Sequence, residues 1–308
     1  MRSKFEDKIY EKVYENSIVF LKDGINRLVN EDTSNSDHIK HDLLMLTCTS
    51  FQISIELAIK ALIIERAGIK NILHTKHQSL SIIEIEKLFL TNKLTTRKFE
   101  EQKNFIKSKN FIEGLNRDDF KKITEFQDYR NKIVHFSYNF EAGDFFDLKY
   151  DLISYLIHII FKILLSKKHE DIKPSAFLAN KLGKDLLDGL IHYVPYVQEM
   201  EKLATYLSEK VFKCIDCYNR TYSQDEEYCY CCNFIGVDYT LINCDYCHEK
   251  ESVIYDNLNI RLNNNMMRGL CLNCDRDSII FKCHKCQNAH NIEMQFEGVC
   301  TNEKCINE

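Results

Sequence analysis

The 308-residue sequence has only two prolines and nine glycines. Because these residues interrupt helices most strongly, their scarcity predicts long helices over much of the chain. Long apolar runs are also missing: the most hydrophobic segment, 153–165, is too short to span a bilayer and contains His158 and Lys162. We therefore expect this segment to be a buried core helix, and we expect no membrane association.

Several familiar functional patterns are absent too. The sequence has no Gly-rich phosphate loop, no H-E-x-x-H pair and no carboxylate cluster suited to two-metal catalysis. The first twenty residues carry charge throughout and lack the apolar run of a secretion signal. These absences argue against nucleotide hydrolysis at a phosphate loop, metalloproteolysis and secretion, and we expect a cytoplasmic protein.

The chain has two regions that differ in their pattern of apolar residues. Apolar residues at helical spacing predict an all-helical region up to about residue 210, with helices over 5–28, 37–67, 79/81–90, 117–138 and up to 163. The lysine-rich stretch 93–112 is expected to be a loop or a short helix. From residue 212, short alternating runs such as SVIYD, LNIRL and DSIIFK predict strands.

The predicted fold class is therefore mainly α, with a helical bundle followed by small zinc-ribbon β modules. We expect a bundle over 1–170, a linker and connecting helices over 171–211, and a three-zinc ribbon region over 212–308.

Cysteine is concentrated in the last third of the chain. Thirteen of the fourteen cysteines follow residue 213, and twelve fall into close pairs. Without a secretion signal, this spacing indicates metal ligation rather than disulfides. The pairs are Cys214/Cys217, Cys229/Cys232, Cys244/Cys247, Cys271/Cys274, Cys283/Cys286 and Cys300/Cys305.

Paired cysteines of this kind predict three structural zinc sites. Two residues between thiolates allow a tight turn to direct both sulfurs at one ion, and two turns complete a tetrahedron. Six pairs therefore make three closed four-cysteine sites, which leave no open position for catalysis. We favour pairing in sequence order, although an interleaved scheme would use the same sulfurs. Cys48 and Cys231 are not needed, and His248, His284 or His290 could substitute for a ligand.

The charge of the ribbon region argues against broad nucleic-acid affinity. Residues 211–308 hold nine Lys/Arg and fifteen Asp/Glu. Each zinc centre with four thiolates adds about −2, for a total of about −12, and such a surface repels phosphate. We expect these modules to sense or dock a partner. A zinc-ribbon DNA-binding regulator is the less favoured interpretation.

The helical region contains one candidate catalytic stretch, FQDYRNKIVHFSY, in the helix predicted over 117–138. On a helix, Asp128, Asn131 and His135 share one face, and the long side chain of Arg130 can reach it. Residues 93–132 hold eleven Lys/Arg and seven Asp/Glu, a local excess that suits a phosphate backbone.

Here the chain resembles the HEPN superfamily, whose ribonuclease members carry an R-x(4–6)-H pattern late in a bundle of four or five helices. Arg130, Asn131 and His135 match that pattern, and IELAIKALI looks like the family's central helix. The resemblance covers about residues 1–170. It implies metal-independent RNA cleavage by a homodimer in which two copies of the motif meet in one cleft.

The chemistry of these side chains is consistent with RNA cleavage. Histidine titrates near neutral pH and can deprotonate the ribose 2′-OH, or protonate the leaving oxygen. Arginine can stabilise the charge that develops on phosphorus, and Asn131 can position the phosphate or orient His135. The expected products are a 2′,3′-cyclic phosphate and a 5′-hydroxyl.

The resemblance also implies a biological setting and an alternative. Domains of this kind look like those of toxin–antitoxin and anti-phage systems, with an antitoxin or sensor partner bound through the zinc ribbons. The alternative is a non-catalytic, dimeric binding or regulatory protein that uses the ribbons to recognise a partner or nucleic acid.

Overall fold

The structure is a computed structural model that describes residues 2–31, 41–111, 115–136, 147–166, 174–236, 241–258, 260–262, 265–283 and 285–292. The chain divides into two compact units, Met1–Met200 and Glu201–Glu308, which we call the helical unit and the ribbon unit. Helices dominate the first unit and short antiparallel strands the second, so the predicted mainly-α class is confirmed.

Long helices build the helical unit. They are α1 (Lys4–Asn26), α2 (His41–Ala67), α3 (Ile82–Leu90), α4 (Phe99–Lys109), α5 (Arg117–Phe136), α6 (Ser154–Leu165), α7 (Pro174–Leu182), α8 (Lys184–Ile191) and α9 (Val194–Leu207), the last of which reaches into the ribbon unit. Short π-helical turns at Arg27–Glu31 and Asp147–Ile153 follow α1 and precede α6.

Helix α2 is the central helix, as its sequence predicts. By length and mean hydropathy alone, Asp42–Ala67 could cross a membrane, but 72% of its most apolar window is buried inside the structure, as in a core helix. It packs against α1, α4, α5 and α6. Gly68 ends it with φ at +87°, a left-handed conformation that glycine adopts without strain.

The other predicted core helix is also confirmed. Helix α6 is buried along nearly its whole length, including His158, which is fully buried. The segment expected to connect the two regions forms α7, α8 and α9, and both α7 and α8 pack on α1. Residues 167–173, which span the predicted boundary between the bundle and the linker, lie outside the described part of the chain.

Strands of two to six residues form the ribbon unit. A three-stranded sheet has the order β1 (Val211–Phe212), β2 (Tyr222–Ser223), β3 (Tyr228–Cys229). A five-stranded antiparallel sheet follows in chain order, made of β4 (Leu241–Ile242), β5 (Val253–Ile254), β6 (Met266–Cys271), β7 (Asp277–Lys282) and β8 (Ala289–Ile292). The run DSIIFK is β7, whereas the described residues of LNIRL form an isolated bridge, between Arg261 and Met267.

Candidate functional site: two cysteine clusters and the Arg130 stretch

Two groups of four cysteines come together in the ribbon unit. Cys214, Cys217, Cys229 and Cys232 form the first group, in which all four residues are buried. The second group contains Cys244, Cys247, Cys271 and Cys274. Both groups unite consecutive pairs, so the sequential pairing is the one that the structure adopts for these eight cysteines.

The spacing of the sulfurs suits a tetrahedral metal ion. The Sγ atoms of Cys214 and Cys232 lie 3.7 Å apart, and those of Cys244 and Cys274 lie 3.8 Å apart. A tetrahedron with Zn–S bonds of about 2.3 Å has edges of about 3.8 Å. Each group can therefore hold one metal ion, and cysteines alone complete the donor set without a histidine.

The same backbone turn recurs at each described C-x-x-C pair. The carbonyl of the first cysteine accepts a hydrogen bond from the N–H four residues later, and its own N–H donates to the carbonyl five residues later. The residue after the second cysteine has φ between 59° and 62° at every one of these turns, namely at Tyr218, Asn233, His248, Asp275 and Gln287. We call this turn the cysteine knuckle.

The third predicted site is described only in part. Cys283 and Cys286 form a cysteine knuckle like the other four, with the Cys283 N–H donating to the Asn288 carbonyl at 2.9 Å. Cys300 and Cys305, expected to complete this site, lie outside the described residues. The turn at 283–287 thus has the conformation of the turns that build the two complete groups.

Asparagine amides near the sulfurs are a feature that the cysteine spacing does not reveal. Asn273 Nδ2 donates to Cys247 Sγ at 3.6 Å, and Asn219 Nδ2 donates to the extra buried thiol, Cys231, at 3.4 Å. Burial acts to raise the pKa of Cys247, but the Glu249 N–H and the Asn273 amide stabilise its thiolate and bring the pKa down to about 6. Asparagine within or just after a C-x-x-C pair is the signal that could have found them.

The two cysteine groups belong to one body. The backbone N–H of Lys213 donates to the Leu272 carbonyl at 3.0 Å, and the Lys213 ammonium pairs with Asp275 at 2.8 Å. Arg220 also donates to Asn273 Oδ1 at 3.2 Å. These contacts join the first cysteine group to the Cys271–Cys274 knuckle of the second.

In the helical unit, α5 carries the Arg130 stretch and is held by a buried carboxylate at its start. Asp119 is fully buried and accepts hydrogen bonds from the Asn116 N–H at 2.9 Å and from the Tyr155 hydroxyl at 3.1 Å. Its carboxylate also lies 3.6 Å from the Lys162 ammonium. Because Tyr155 and Lys162 belong to α6, this carboxylate ties α5 to α6.

Arg130 lies on the core-facing stripe of α5. It is four residues after Phe126 and three before Ile133, both of which are buried. Its Nη1 donates to Asn131 Oδ1 at 3.0 Å, while its Nε is buried and has no hydrogen-bond partner among the described residues. The guanidinium thus emerges from the core side and bends towards an exposed neighbour.

The structure describes the side chains of two of the three residues on the predicted face, Asp128 and Asn131, and only the backbone of the third, His135. Asp128 and Asn131 are exposed, so this face of α5 points to solvent in the single chain. The backbone of His135 lies in the last turn of α5, but its side chain lies outside the described part of the structure. The structure therefore brings Arg130 and Asn131 together, and the position of the imidazole stays a prediction.

A buried thiol, Cys48, lies near Arg130 and belongs to none of the sequence motifs. Cys48 of α2 is fully buried, and burial raises the pKa of its thiol to about 12, although the nearby Arg130 charge acts to lower it. Two polar pairs elsewhere in the helical unit hold local structure. Lys60 and Glu56 form an intrahelical ion pair at 4.0 Å, and His77 Nε2 lies 3.1 Å from Thr95 Oγ1, which secures a loop.

Comparison with known proteins gives no family assignment: no protein-family model, curated protein or solved structure matches this chain.

Proposed function

We propose that the helical unit is a metal-independent endoribonuclease of the HEPN type, which works as a homodimer. The supporting observation is the hydrogen bond from Arg130 Nη1 to Asn131 Oδ1, near the end of a continuous helix that also carries His135. This bond turns the guanidinium away from the core, to the face of α5 that His135 shares with Asn131.

In this mechanism His135 takes the proton from the ribose 2′-OH, which then attacks the adjacent phosphorus. Arg130 stabilises the negative charge that develops on the phosphoryl oxygens, and Asn131 holds the guanidinium in place through its side-chain oxygen. The His135 of a second copy protonates the departing 5′ oxygen. The upstream fragment ends in a 2′,3′-cyclic phosphate, and the downstream fragment begins with a 5′-hydroxyl.

The ribbon unit supplies recognition in this proposal. Three zinc sites of four cysteines each hold it together, and it docks an antitoxin, a sensor or another regulatory partner. RNA cleavage by such a protein would belong to a toxin–antitoxin or anti-phage response.

The test is cleavage of single-stranded RNA by the purified full chain, with the zinc content measured in parallel because chelators can unfold zinc modules. We expect cleavage in the presence of EDTA, and losses of at least a hundredfold for His135→Ala and Arg130→Ala. His192→Ala is the matched control, since this exposed histidine of the helical unit bonds only locally to Asp188. Equal rates for wild type and the His135 variant, or dependence on an added divalent ion, would contradict the mechanism.

A second function has one observation in its favour. The buried Nε of Arg130 and its place between Phe126 and Ile133 also suit an arginine that only supports packing, as in a non-catalytic dimeric binding or regulatory protein. In that case Arg130→Ala would lower the unfolding temperature, and the wild-type protein would bind its partner but leave RNA uncut. The same cleavage assay therefore separates the two functions.

A further inference from the structure

A groove separates α4 from the first turns of α5. Glu100, Lys103 and Lys107 lie along α4 at positions i, i+3 and i+7, and Arg117 and Lys121 lie along α5 at i and i+4, so each set lines one helix face. The groove has a volume of about 240 Å³. Among the described residues, four cationic side chains and a single carboxylate line it.

One of these cations is fixed in the wall. Lys103 is 3% exposed, and its ammonium lies 2.7 Å from the Glu100 carboxylate and 2.8 Å from Thr124 Oγ1. It also donates to Gln127 Oε1 at 3.3 Å, so it bridges α4 and α5. These contacts fix the spacing of α4 and α5 at this point and neutralise the Lys103 ammonium. The positive charge of the groove therefore comes from the other cations.

The remaining cations face solvent. Lys107 and Arg117 are exposed and have no ion pair among the described residues, although the Lys107 ammonium lies 5.8 Å from the centre of the Phe120 ring. Lys121 pairs with Glu125 at 3.5 Å, but Glu125 also pairs with Lys122 and so neutralises only part of the charge. The groove therefore keeps a net positive charge.

An apolar pocket of about 190 Å³ adjoins the groove and shares Lys107, Arg117 and Phe120 with it. Its wall includes Ile106 and Phe111. A row of cations beside an aromatic-lined pocket suits single-stranded nucleic acid, whose phosphates follow the charge while an unpaired base stacks on a ring.

We propose that this groove binds the phosphate backbone of single-stranded RNA and guides the strand to the Arg130 stretch. The inference rests on the proposed function and adds the path of the substrate. Lys107 and Arg117 contact phosphates, and the half-buried Phe111 receives a base in the pocket whose floor includes the buried Phe120 ring. Asn131, whose side-chain oxygen accepts from the Arg130 guanidinium, lies fourteen residues after Arg117 on the same face of α5, about 21 Å along the helix axis, so a strand in the groove continues towards the motif.

The experiment measures binding apart from cleavage. The full chain carrying His135→Ala is titrated against a fluorescein-labelled 12-nucleotide single-stranded RNA, with fluorescence anisotropy read at several salt concentrations. In this background, Lys107→Gln with Arg117→Gln should weaken binding on the order of tenfold. The slope of log K against the log of the salt concentration should become shallower by about 1.4, the value expected for the loss of two phosphate contacts on a single strand. The control pair Lys8→Gln with Lys12→Gln removes the same charge from exposed positions on α1 and should change affinity less than twofold.

Two results would overturn the groove as the binding site: no RNA binding by the parent, or equal weakening by both charge pairs. A matched RNA duplex should bind more weakly than the single strand, and equal binding would also count against the groove. The cleavage assay fails or succeeds separately. If the chain cleaves RNA but the groove variants have no effect, the nuclease proposal stands and the groove proposal fails. If binding depends on the groove but no RNA is cleaved, the groove proposal stands and the nuclease proposal fails.

Discussion

Gly24 marks a close approach of α1 to α2. A Cβ atom at this position would lie 2.9 Å from the ring of Phe51, which is fully buried. Nearby, the Ser54 hydroxyl donates to the Ser17 carbonyl at 2.9 Å, so the two helix backbones are close over several turns. The packing of the two helices depends on the missing side chain.

We expect Gly24→Ala to destabilise the helical unit. Overpacking a dense core costs about 1–3 kcal/mol, and the better helix propensity of alanine offsets only about 1 kcal/mol of it. Urea unfolding followed by circular dichroism would measure the change. Asn16→Ala, at an exposed position of α1, should be close to neutral; equal stability of the two variants would show that the Phe51 ring can move aside.

Sequence reasoning at single positions identified side chains but not their tertiary neighbours. The motif singles out Arg130, and helical spacing places Asn131 on one face with Asp128, a face that the structure shows to be exposed at both residues. Sequence reasoning could not find Cys48, because the contact between α2 and α5 joins residues about eighty positions apart and no spacing rule links them. The core-side origin of the Arg130 side chain was missed for the same reason.

One carboxylate links the start of α1 to the end of α2. Glu6 accepts hydrogen bonds from the Ser3 N–H at 2.9 Å and from the Ile69 N–H at 3.1 Å, just after Gly68. Burial acts to raise the pKa of Glu6, but these donors, with Arg2 nearby, outweigh it and hold the pKa below its usual value. The ionised form therefore fixes both helix ends.

This link makes stability depend on pH. Since the folded pKa of Glu6 is depressed, its contribution is complete above the unfolded value of about 4.5 and is lost as the pH falls through the lower folded value. Glu6→Gln should remove on the order of 1–2 kcal/mol at pH 7 and less near pH 3. Unfolding free energies of wild type and variant across this range would measure it, with Glu86→Gln on exposed α3 as the control. A gap that stays constant with pH would contradict the role of the charge.

The ends of elements followed from sequence where a local signal exists. Ser81 forms a capping box with Glu84 at the start of α3, and Gly68 ends α2. Helix α4 has no comparable start signal, since Lys98 makes no side-chain cap. The sequence therefore does not decide between a loop and a short helix for this stretch. LNIRL alternates like a strand, but its described residues form a single bridge, at Arg261, because pairing depends on a neighbouring strand that periodicity does not include.

Apart from its cysteine groups, the ribbon unit has little regular structure to stabilise it, since most of its described strands are two residues long. Its small apolar cluster includes Cys244 and Cys271 themselves, next to Val253, Tyr255 and Ile280. A metal ion held by these cysteines would stabilise the core as well as the turns, so we expect metal removal to disrupt both. The helical unit has its own core around α2 and does not share this dependence.

We predict three zinc ions per chain, and two after Cys283→Ser. Zinc counting by native mass spectrometry would test this, because the cysteines expected to complete the third site, Cys300 and Cys305, are beyond the described residues. Cys231→Ser is the control: this thiol is outside both four-cysteine groups, so the count should stay at three. A wild-type count of two would remove the third site, and a drop in the control would place Cys231 among the ligands.

The five described cysteine knuckles place residues such as Tyr218, His248 and Gln287 in a left-handed conformation that only glycine adopts freely. Each such residue stores about 1 kcal/mol of backbone strain, somewhat less for Asn233 and Asp275. The affinity of each four-cysteine group for a metal ion would therefore be a net quantity, reduced by this stored strain. Loss of a bound ion would let these strained residues relax, so we expect chelation to loosen the cysteine knuckles before the strands of the ribbon unit.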